Sequence, residues 1–233
     1  EPKINARLEK VQGVWQAAYR IAPGPPTTLE HVDIRVIGEG GEEPSVKKVL
    51  ASTQMFSGRR LDHRAYKQTK SQLSDTLYSL GYIDAKFTQS EIKVYPPQQK
   101  ADIYLIAESG PRFKFGTITV EQDILDSDFV SRFGNINPGD WFDSSKLVDY
   151  QLALTDSNYF KQVEILAERE NAVGTEIPVL VKTEATKPRL YTAGLGFGTD
   201  TGPRVTAGTE LRRINRSGHK IRFDLRASSI EQS

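Results

Sequence analysis

The sequence predicts an α+β fold in which a small unit of three strands and two helices is repeated in tandem and is followed by antiparallel strands. Three observations predict this fold. Residues recur at offsets of about 77 to 85 positions, each copy has the same order of periodic patterns, and the composition changes near residue 188. Recurrence at such a spacing is typical of repeat architectures, in which each copy is one structural unit.

The repeat is clearest around its longer helix. Gly58–Asp62 corresponds to Gly139–Asp143 at an offset of 81, and Gly81-Tyr82 corresponds to Asn158-Tyr159 at an offset of 77. The difference of four residues is about one helical turn. A helix can lose one turn with little rotation of its apolar face, so both copies can bury the same stripe.

In the first copy, residues 29–38 alternate between apolar and polar side chains and predict a half-buried strand. Residues 45–54 predict a short helix. Asp62 is a candidate N-cap for a longer helix, whose apolar residues recur every three or four positions up to Leu80. Gly81 supplies the left-handed residue that often ends such a helix.

Two further strands complete each copy, so that the order is strand, helix, helix, strand, strand. In the first copy these strands are 84–95 and 101–108, with Pro96–Gln99 as a hairpin loop. Residues 3–11 and 14–22 look like the same two strands of a preceding copy. The second copy has a turn at Asn137–Gly139 and comprises strand 113–121, helices 126–133 and 144–157, and strands 162–169 and 176–185.

The tail from Arg189 to Ser233 differs in charge and in pattern. It holds eight Lys and Arg against four Asp and Glu, a net charge of +4, whereas the preceding 188 residues carry 23 against 26, a net charge of −3. Six of the 18 glycines lie between positions 194 and 218. Residues 219–227 alternate strictly, as in the strands of a transmembrane barrel. A soluble antiparallel sheet alternates in the same way, so the tail alone leaves both open.

Composition and motifs argue against several function classes. The net charge of +1 lacks the basic excess that is typical of nucleic-acid binders. The chain has no cysteine, and its three histidines are too far apart for a short-range zinc pair. Gly194 and Gly196 lack the third glycine of a dinucleotide-binding loop, and no P-loop or hydrolase signature occurs. We therefore expect no catalytic residue, no cofactor site and no metal site, and we do not expect an enzyme.

Two other groups of residues have structural interpretations. Asp123, Asp126 and Asp128 precede a short helix, where acidic side chains interact favourably with the helix dipole, so we interpret them as structural and not as a metal cluster. Trp15 and Trp141 are expected to be partly buried core residues and not stacking platforms.

The repeated order and the helix exits Leu80–Tyr82 and Asn158–Phe160 resemble the POTRA domain, which precedes the β-barrel in the BamA/TamA superfamily of outer-membrane proteins. The tail makes the resemblance more specific. Residues 193–204 are similar to the first barrel hairpin of the TamA family, and residues 211–219 are similar to the next turn of that barrel. The segment 199–204 favours the TamA family over the BamA family, which carries a longer series of POTRA domains.

The resemblance implies a division of the chain into four parts. These are the C-terminal part of a first POTRA domain at 1–25, a second POTRA domain at 26–110, a third at 111–188, and the first strands of an outer-membrane β-barrel at 189–233. A complete member of the family has many more barrel strands, so we expect this sequence to be part of a longer protein.

The function implied by the resemblance is that of a TamA-like assembly and translocation factor in the outer membrane of Gram-negative cells, with this region mainly in the periplasm. The implied partners are a TamB-like protein anchored in the inner membrane, client outer-membrane proteins such as autotransporters, and outer-membrane lipid. Nucleic acid is not an implied partner. The alternative is a POTRA-containing periplasmic scaffold or a secretion-transporter module without insertase activity.

The candidate contact sites are the second strand of each unit, which is an edge strand in the family. An exposed edge can accept an additional strand through main-chain hydrogen bonds, with little demand on sequence. The alternative is that the edges are solvated or blocked by their charges. The tail glycines are implied to form a weakly paired barrel seam. The candidate residues are Lys86, Phe87, Thr88, Gln89, Ser90, Glu91, Ile92 and Lys93 in the first edge, Val163, Glu164, Ile165 and Leu166 in the second, and Gly194, Gly196 and Gly198 in the seam.

Overall fold

The computed structural model describes residues 3–11, 14–22, 24–198 and 202–228. The strands are β1 (Lys3–Val11), β2 (Val14–Ala22), β3 (Thr28–Ile37), β4 (Lys86–Tyr95), β5 (Lys100–Glu108), β6 (Lys114–Glu121), β7 (Phe160–Ala167), β8 (Glu176–Ala185), β9 (Arg189–Gly198), β10 (Gly202–Leu211) and β11 (Ile221–Ser228). The α-helices are α1 (Pro44–Ser52), α2 (His63–Ser79), α3 (Ser127–Ser131) and α4 (Ser144–Asp156). None of the helices in these ranges is long and apolar enough to span a membrane.

Two segments with the same topology make up most of the chain. We call β3 to β5, with α1 and α2, the first repeat, and β6 to β8, with α3 and α4, the second repeat. The sheet orders are β3-β5-β4 and β6-β8-β7. In each sheet the central strand, β5 or β8, is the last of the three in the chain. It pairs in parallel with β3 or β6 and antiparallel with β4 or β7. The predicted α+β class and the order strand, helix, helix, strand, strand are confirmed.

The first repeat has a mainly aliphatic core between its sheet and its helices. Leu29, Met55 and Ile103 form one buried cluster with Ala101. Helix α2 contributes Leu73, which is fully buried. The predicted apolar stripe of this helix therefore lies in the core, and a positive φ of 92° at Gly81 follows its last turn.

The second repeat has a more aromatic core. Phe115, Phe142 and Tyr150 are fully buried, and the Phe115 and Phe142 ring centroids lie 5.0 Å apart. The helix exit corresponding to Gly81 is Asn158, which adopts a left-handed conformation with a φ of 61°. Asparagine tolerates this conformation better than most residues because its short polar side chain can hydrogen-bond locally.

Several predictions from the sequence differ from the structure, among them the start of β4, which is Lys86 and not the predicted residue 84. Helix α3 is shorter than the predicted 126–133, because Phe133 and Gly134 donate to the carbonyls three residues before them and form a turn. Strand β7 starts at Phe160, two residues before the predicted start. Trp15 and Trp141 are not core residues, since 63% and 50% of their surfaces are exposed. Lys114 instead holds its ammonium 4.7 Å from the Trp141 ring centroid.

The remaining strands form two separate sheets. Strands β1 and β2 pair as an antiparallel hairpin, and β9, β10 and β11 form an antiparallel sheet in the order β11-β10-β9. The described residues up to 111, apart from 79–81, belong to one compact unit, and those from 112 onward, with 79–81, belong to another. The four-part division by the predicted boundaries 25, 110 and 188 stays a prediction.

Candidate functional site

Strands β4 and β7 are outer strands of their sheets. All of the predicted contact residues 86–93 lie in β4, and all of 163–166 lie in β7. The structure therefore places both candidate sets at sheet edges, where backbone groups alternate between the neighbouring strand and the outside. Their role as binding sites stays a prediction.

The opposite edge of each sheet is partly paired by the chain itself. Leu29 in β3 donates to the carbonyl of Arg59 at 2.7 Å and accepts from Gly58 at 2.8 Å. Phe115 in β6 makes the corresponding pair of bonds with residues 139–140, at 2.9 and 2.7 Å. Because these loops occupy the start of β3 and β6, the outer strands β4 and β7 are the better candidates for pairing with another chain.

The open face of β4, away from the helices, carries paired charges. Gln89 Nε2 donates to Glu91 Oε1 at 2.5 Å, and Lys93 Nζ lies 3.2 Å from the same oxygen. The hydrogen bond from Gln89 and that from Lys93 lower the pKa of the Glu91 carboxyl below its ordinary value. The bond to Glu91 raises the pKa of Lys93. These charges face along the sheet surface and neutralise one another, so they do not seal the edge as a run of like charges would.

The face of β4 that points towards the helices has partly exposed apolar surface and one cationic side chain, Lys70. Phe87 and Ile92 are half-buried, and Lys70 of α2 lies over the Phe87 ring. Its ammonium donates to Ser90 Oγ at 3.0 Å and lies 5.0 Å from the Phe87 ring centroid. A bulge at Thr88, between Phe87 and Gln89, bends the strand at the start of this apolar surface.

Strand β7 has the corresponding bulge between Phe160 and Gln162 but a different surrounding. Its backbone carbonyl at Val163 accepts a hydrogen bond from Gln151 Nε2 of α4 at 3.1 Å. Helix α4 runs closely alongside β7, and α2 does not approach β4 to the same extent. Glu164 is exposed, while Ile165 and Leu166 are half-buried. The two predicted edges are therefore not equivalent.

The predicted seam glycines lie in β9, an outer strand of its sheet that pairs with β10. A Cβ atom at Gly194 would lie 2.7 Å from Thr206 Oγ1, and one at Gly196 would lie 2.9 Å from Arg204 Nε. Glycine therefore lets the β10 side chains lie across β9. Gly198 is the last residue of the strand and pairs with Gly202. Of the segment 199–204 that favoured the TamA family, residues 199–201 lie outside the described residues.

The other face of this three-stranded sheet is apolar and exposed. Leu195 and Leu225 are 87% and 75% exposed, and Phe197 is also exposed. Val205 pairs directly with Leu195 and with Ala227, so the apolar side chains of three strands form one continuous surface. Contiguous exposed apolar surface of this kind is uncommon on soluble monomers and marks contact with another apolar phase or molecule.

The turn 212–220, between β10 and β11, contacts the second repeat through Asp126. The backbone N–H of Asp126 donates to the carbonyl of Arg216 at 2.9 Å. The Asp126 carboxylate lies 3.4 Å from Arg216 Nε and accepts from Ser217 Oγ at 3.4 Å. Asp126 was expected to serve the helix terminus, but its side chain makes no capping bond to α3. This carboxylate therefore holds the turn.

A second contact of the same turn is centred on Tyr159, the residue before β7. Its hydroxyl donates to the carbonyl of Gly218 at 2.5 Å, and Lys220 Nζ lies 4.2 Å from its ring centroid. Lys220 also donates to the carbonyl of Ser157. Partial burial raises the pKa of Tyr159. The sequence pattern marks Tyr159 only as part of a helix exit, because a separation of 59 residues from Gly218 gives no periodic signal.

No cluster of three or more potential metal ligands occurs among residues 3–11, 14–22, 24–198 and 202–228.

No family model matches the chain. Many solved structures are similar to it, among them two of BamA. One is BamA from Haemophilus ducreyi lacking POTRA domains 1–3, at 15% identity and a TM-score of 0.71, over 87% of this chain and 37% of that chain. The other is POTRA domains 3–5 of Haemophilus influenzae BamA, at 17% identity and a TM-score of 0.51, over 78% and 70% of the two chains.

At these identities the similarity establishes the fold. The tandem β-α-α-β-β repeats have the fold of POTRA domains, and the chain has the fold of a POTRA-containing region of BamA. This chain spans 37% of the length of the first of these structures. Activity, substrates and partners are therefore matters for a proposal.

Proposed function

We propose that this chain is the POTRA-containing part of an outer-membrane protein that assembles or translocates other outer-membrane proteins. The observation that carries the proposal is the edge strand β4, which stands on a POTRA fold and has its charges paired along the open face of the sheet. Such an edge suits the addition of an extended segment from another chain. The function is one of binding and guidance, without a catalytic residue.

The finer form of the proposal is a TamA-like factor at the Gram-negative outer membrane. Residues 26–110 and 111–188 are its second and third POTRA domains, residues 1–25 end the first, and residues 189–233 begin its β-barrel. The continuous apolar surface around Leu195, Val205 and Leu225 supports the last assignment, because barrel strands present such a face to lipid. The partner is a TamB-like protein, and the clients are outer-membrane proteins such as autotransporters.

Strand addition explains how one surface serves clients of different sequence. Main-chain hydrogen bonds provide the affinity, each with a net contribution of about 0.5–1.5 kcal/mol. Ordering an extended segment opposes binding. The complex is therefore expected to be weak and reversible, which suits a factor that passes a client on. At β9, the glycines Gly194, Gly196 and Gly198 weaken the strand, which suits a seam that opens.

The test is backbone-specific substitution in β4 of the full-length protein. Ser90 follows Gln89 as Val163 follows Gln162, and the carbonyl of Val163 faces outward to accept from Gln151, so the backbone of Ser90 faces outward as well. Ser90→Pro removes an outward N–H group and inserts a ring at the edge, whereas Ser90→Ala keeps the backbone donor. We expect the proline variant to lose binding to the TamB-like partner and the alanine variant to retain it. Circular dichroism checks that both variants are folded. Unchanged binding by a folded proline variant would show that the edge is not the contact.

A further inference from the structure

We propose that β4 is the accepting edge and that β7 is kept closed by Gln151 of its own helix α4. This inference rests on the proposed function, because it assigns strand addition to one of two edges with the same fold. It identifies Gln151 as the residue that distinguishes the repeats and Lys70 as the residue that selects the partner.

The closure of β7 follows from one hydrogen bond and one helix position. Gln151 Nε2 donates to the carbonyl of Val163 at 3.1 Å, and α4 lies close along the strand. An added strand donates its N–H groups to the free carbonyls of an edge. At β7 such a strand would have to displace the Gln151 amide and enter a space beside α4.

The first repeat has a different residue at the corresponding position. Lys70 and Gln151 are 81 residues apart, the offset of the repeat around these helices. Lys70 Nζ donates to the side-chain oxygen Ser90 Oγ and not to a backbone atom. Among the described residues, no side chain donates to a backbone carbonyl of β4. The carbonyls of β4 are therefore open to an incoming strand.

The surroundings of β4 specify the chemistry of that strand. On the helix face it would lie beside the half-buried Phe87 and Ile92, which favour apolar side chains. The same face carries the Lys70 ammonium, which makes no ion pair within the described part of the chain, so an acidic side chain fits there. On the open face Gln89, Glu91 and Lys93 favour polar side chains. The occupant is an extended segment of alternating apolar and polar residues with an acidic residue on its apolar face.

The test uses two variants with one cysteine each, since the chain contains none of its own. Gln89→Cys and Gln162→Cys are a matched pair, because both residues follow the bulge in their strand and lie on the open face. The probe is a synthetic peptide of alternating valine and threonine, in which a central valine is aspartate and a neighbouring threonine is cysteine. The disulfide yield in a glutathione buffer, measured by mass spectrometry, reports pairing because the bond needs neighbouring strands.

We expect the disulfide yield of the Gln89→Cys variant to exceed that of the Gln162→Cys variant by about fivefold, the effect of one net hydrogen bond. Adding Gln151→Met to the Gln162→Cys variant keeps the length of the side chain and removes its donor, and it raises the yield by a similar factor. Lys70→Met, at the equivalent position, is the control and does not raise the yield of the Gln89→Cys variant. With the Gln89→Cys variant, a peptide that carries lysine in place of aspartate is expected to give a disulfide yield about threefold lower than the aspartate peptide. Adding Lys70→Met to this variant is expected to make the yields of the two peptides equal.

The outcomes separate this inference from the proposed function. Equal yields from the two cysteine variants, or no response to Gln151→Met, would overturn the assignment to β4 while leaving strand addition in place. No disulfide with either variant would overturn strand addition itself, and the inference with it. Equal yields from the aspartate and lysine peptides would overturn the role of Lys70.

Discussion

The two repeats place different residues at the same position of their longer helix, with different consequences for the core. Thr69 in the first repeat and Tyr150 in the second are 81 residues apart and both are buried. Thr69 Oγ1 lies 3.5 Å from Thr53 Oγ1, whereas the Tyr150 hydroxyl donates to the carbonyl of Val130 at 3.3 Å. Gly134 makes room for the tyrosine, since a Cβ there would lie 2.8 Å from its ring. The same fold therefore accommodates either a short contact between two threonine hydroxyls or a longer tyrosine side chain that reaches a backbone carbonyl.

The neighbouring position extends the comparison from the core to the edge. Lys70 lies over a side chain of β4, and Gln151 binds the backbone of β7. Consecutive residues of one helix therefore vary between the repeats, one facing the core and the next facing the edge. A repeated fold can therefore keep its topology while residues of one helix determine the size of its core and the accessibility of its edge strand.

The largest expected effect concerns the cores. Phe115 and Leu29 occupy equivalent places before the bulge of β6 and β3, and both are buried. Phe115→Ala removes a ring that packs on Phe142 and is expected to lower the free energy of unfolding by about 3–5 kcal/mol. Leu29→Ala is expected to cost less, about 2–3 kcal/mol. Urea denaturation followed by hydrogen exchange in each repeat measures both, and a smaller loss for Phe115→Ala would contradict the aromatic core.

The next effect concerns the buried tyrosine at high pH. Burial raises the pKa of Tyr150 to about 12, above the ordinary value of about 10. The stabilisation from keeping this hydroxyl neutral is complete below about pH 10 and is lost as the pH rises towards 12, up to about 2 kcal/mol. Tyr150→Phe is expected to remove this loss from the second repeat and to cost about 1 kcal/mol at neutral pH for the hydrogen bond. An alkaline unfolding curve of the second repeat that is the same with and without the substitution would exclude this role.

A smaller effect is expected at the helix exits. Gly81 has a φ of 92°, which disfavours any side chain, and Asn158 has a φ of 61°, which asparagine tolerates. Gly81→Ala is expected to lower the free energy of unfolding by about 1–2 kcal/mol. Asn158→Gly is expected to change it by less than about 0.5 kcal/mol, because glycine adopts the conformation without strain but loses the bond to the Asp156 carbonyl. Thermal melts of both variants test whether the exits are equivalent.

The smallest effect concerns the charges on β4. The pKa of Glu91 is lowered by its hydrogen bonds, so the pair with Lys93 is present above the ordinary carboxyl pKa and is lost as the pH falls through the lowered one. The pKa of Lys93 is raised, so its share of the interaction is complete below the ordinary lysine value and is lost only as the pH rises through the raised one. NMR titration of Glu91 measures the midpoint, which Gln89→Ala is expected to raise. An unchanged midpoint would show that Gln89 is not its main partner.

Much of this fold could be predicted from the sequence because local patterns encode it. The apolar stripe of α2, the glycine at position 81 and the alternation in β3 depend on residues within one element, and the repeat made each assignment twice. The same patterns placed 86–93 and 163–166 in strands. The edge position of those strands came from the family resemblance, because which strand is central depends on pairing between distant segments.

The details that distinguish the two edges could not be predicted in the same way. The bond from Gln151 to Val163 depends on how closely α4 approaches β7, which periodicity does not report. Asp126 looked like a helix residue because its local sequence fits a helix start, and its contact with Arg216 joins segments 90 residues apart. Trp141 looked like a core residue because it is large and apolar, but its loop position and the neighbouring Lys114 keep it at the surface.

The contact at Tyr159 has a mechanical consequence. Tyr159 is joined by a peptide bond to the first residue of β7 and by its hydroxyl to Gly218, in the turn that connects β10 and β11. A pull along β7 would therefore reach the turn through Tyr159, in addition to the contacts that Asp126 and Lys220 make between the turn and the second repeat. A methyl group at Gly218 would lie 2.5 Å from Phe129 and would force the two surfaces apart. A displacement of β7 is therefore expected to move the β10–β11 turn as well, and Tyr159 is the side chain that couples the strand directly to the turn.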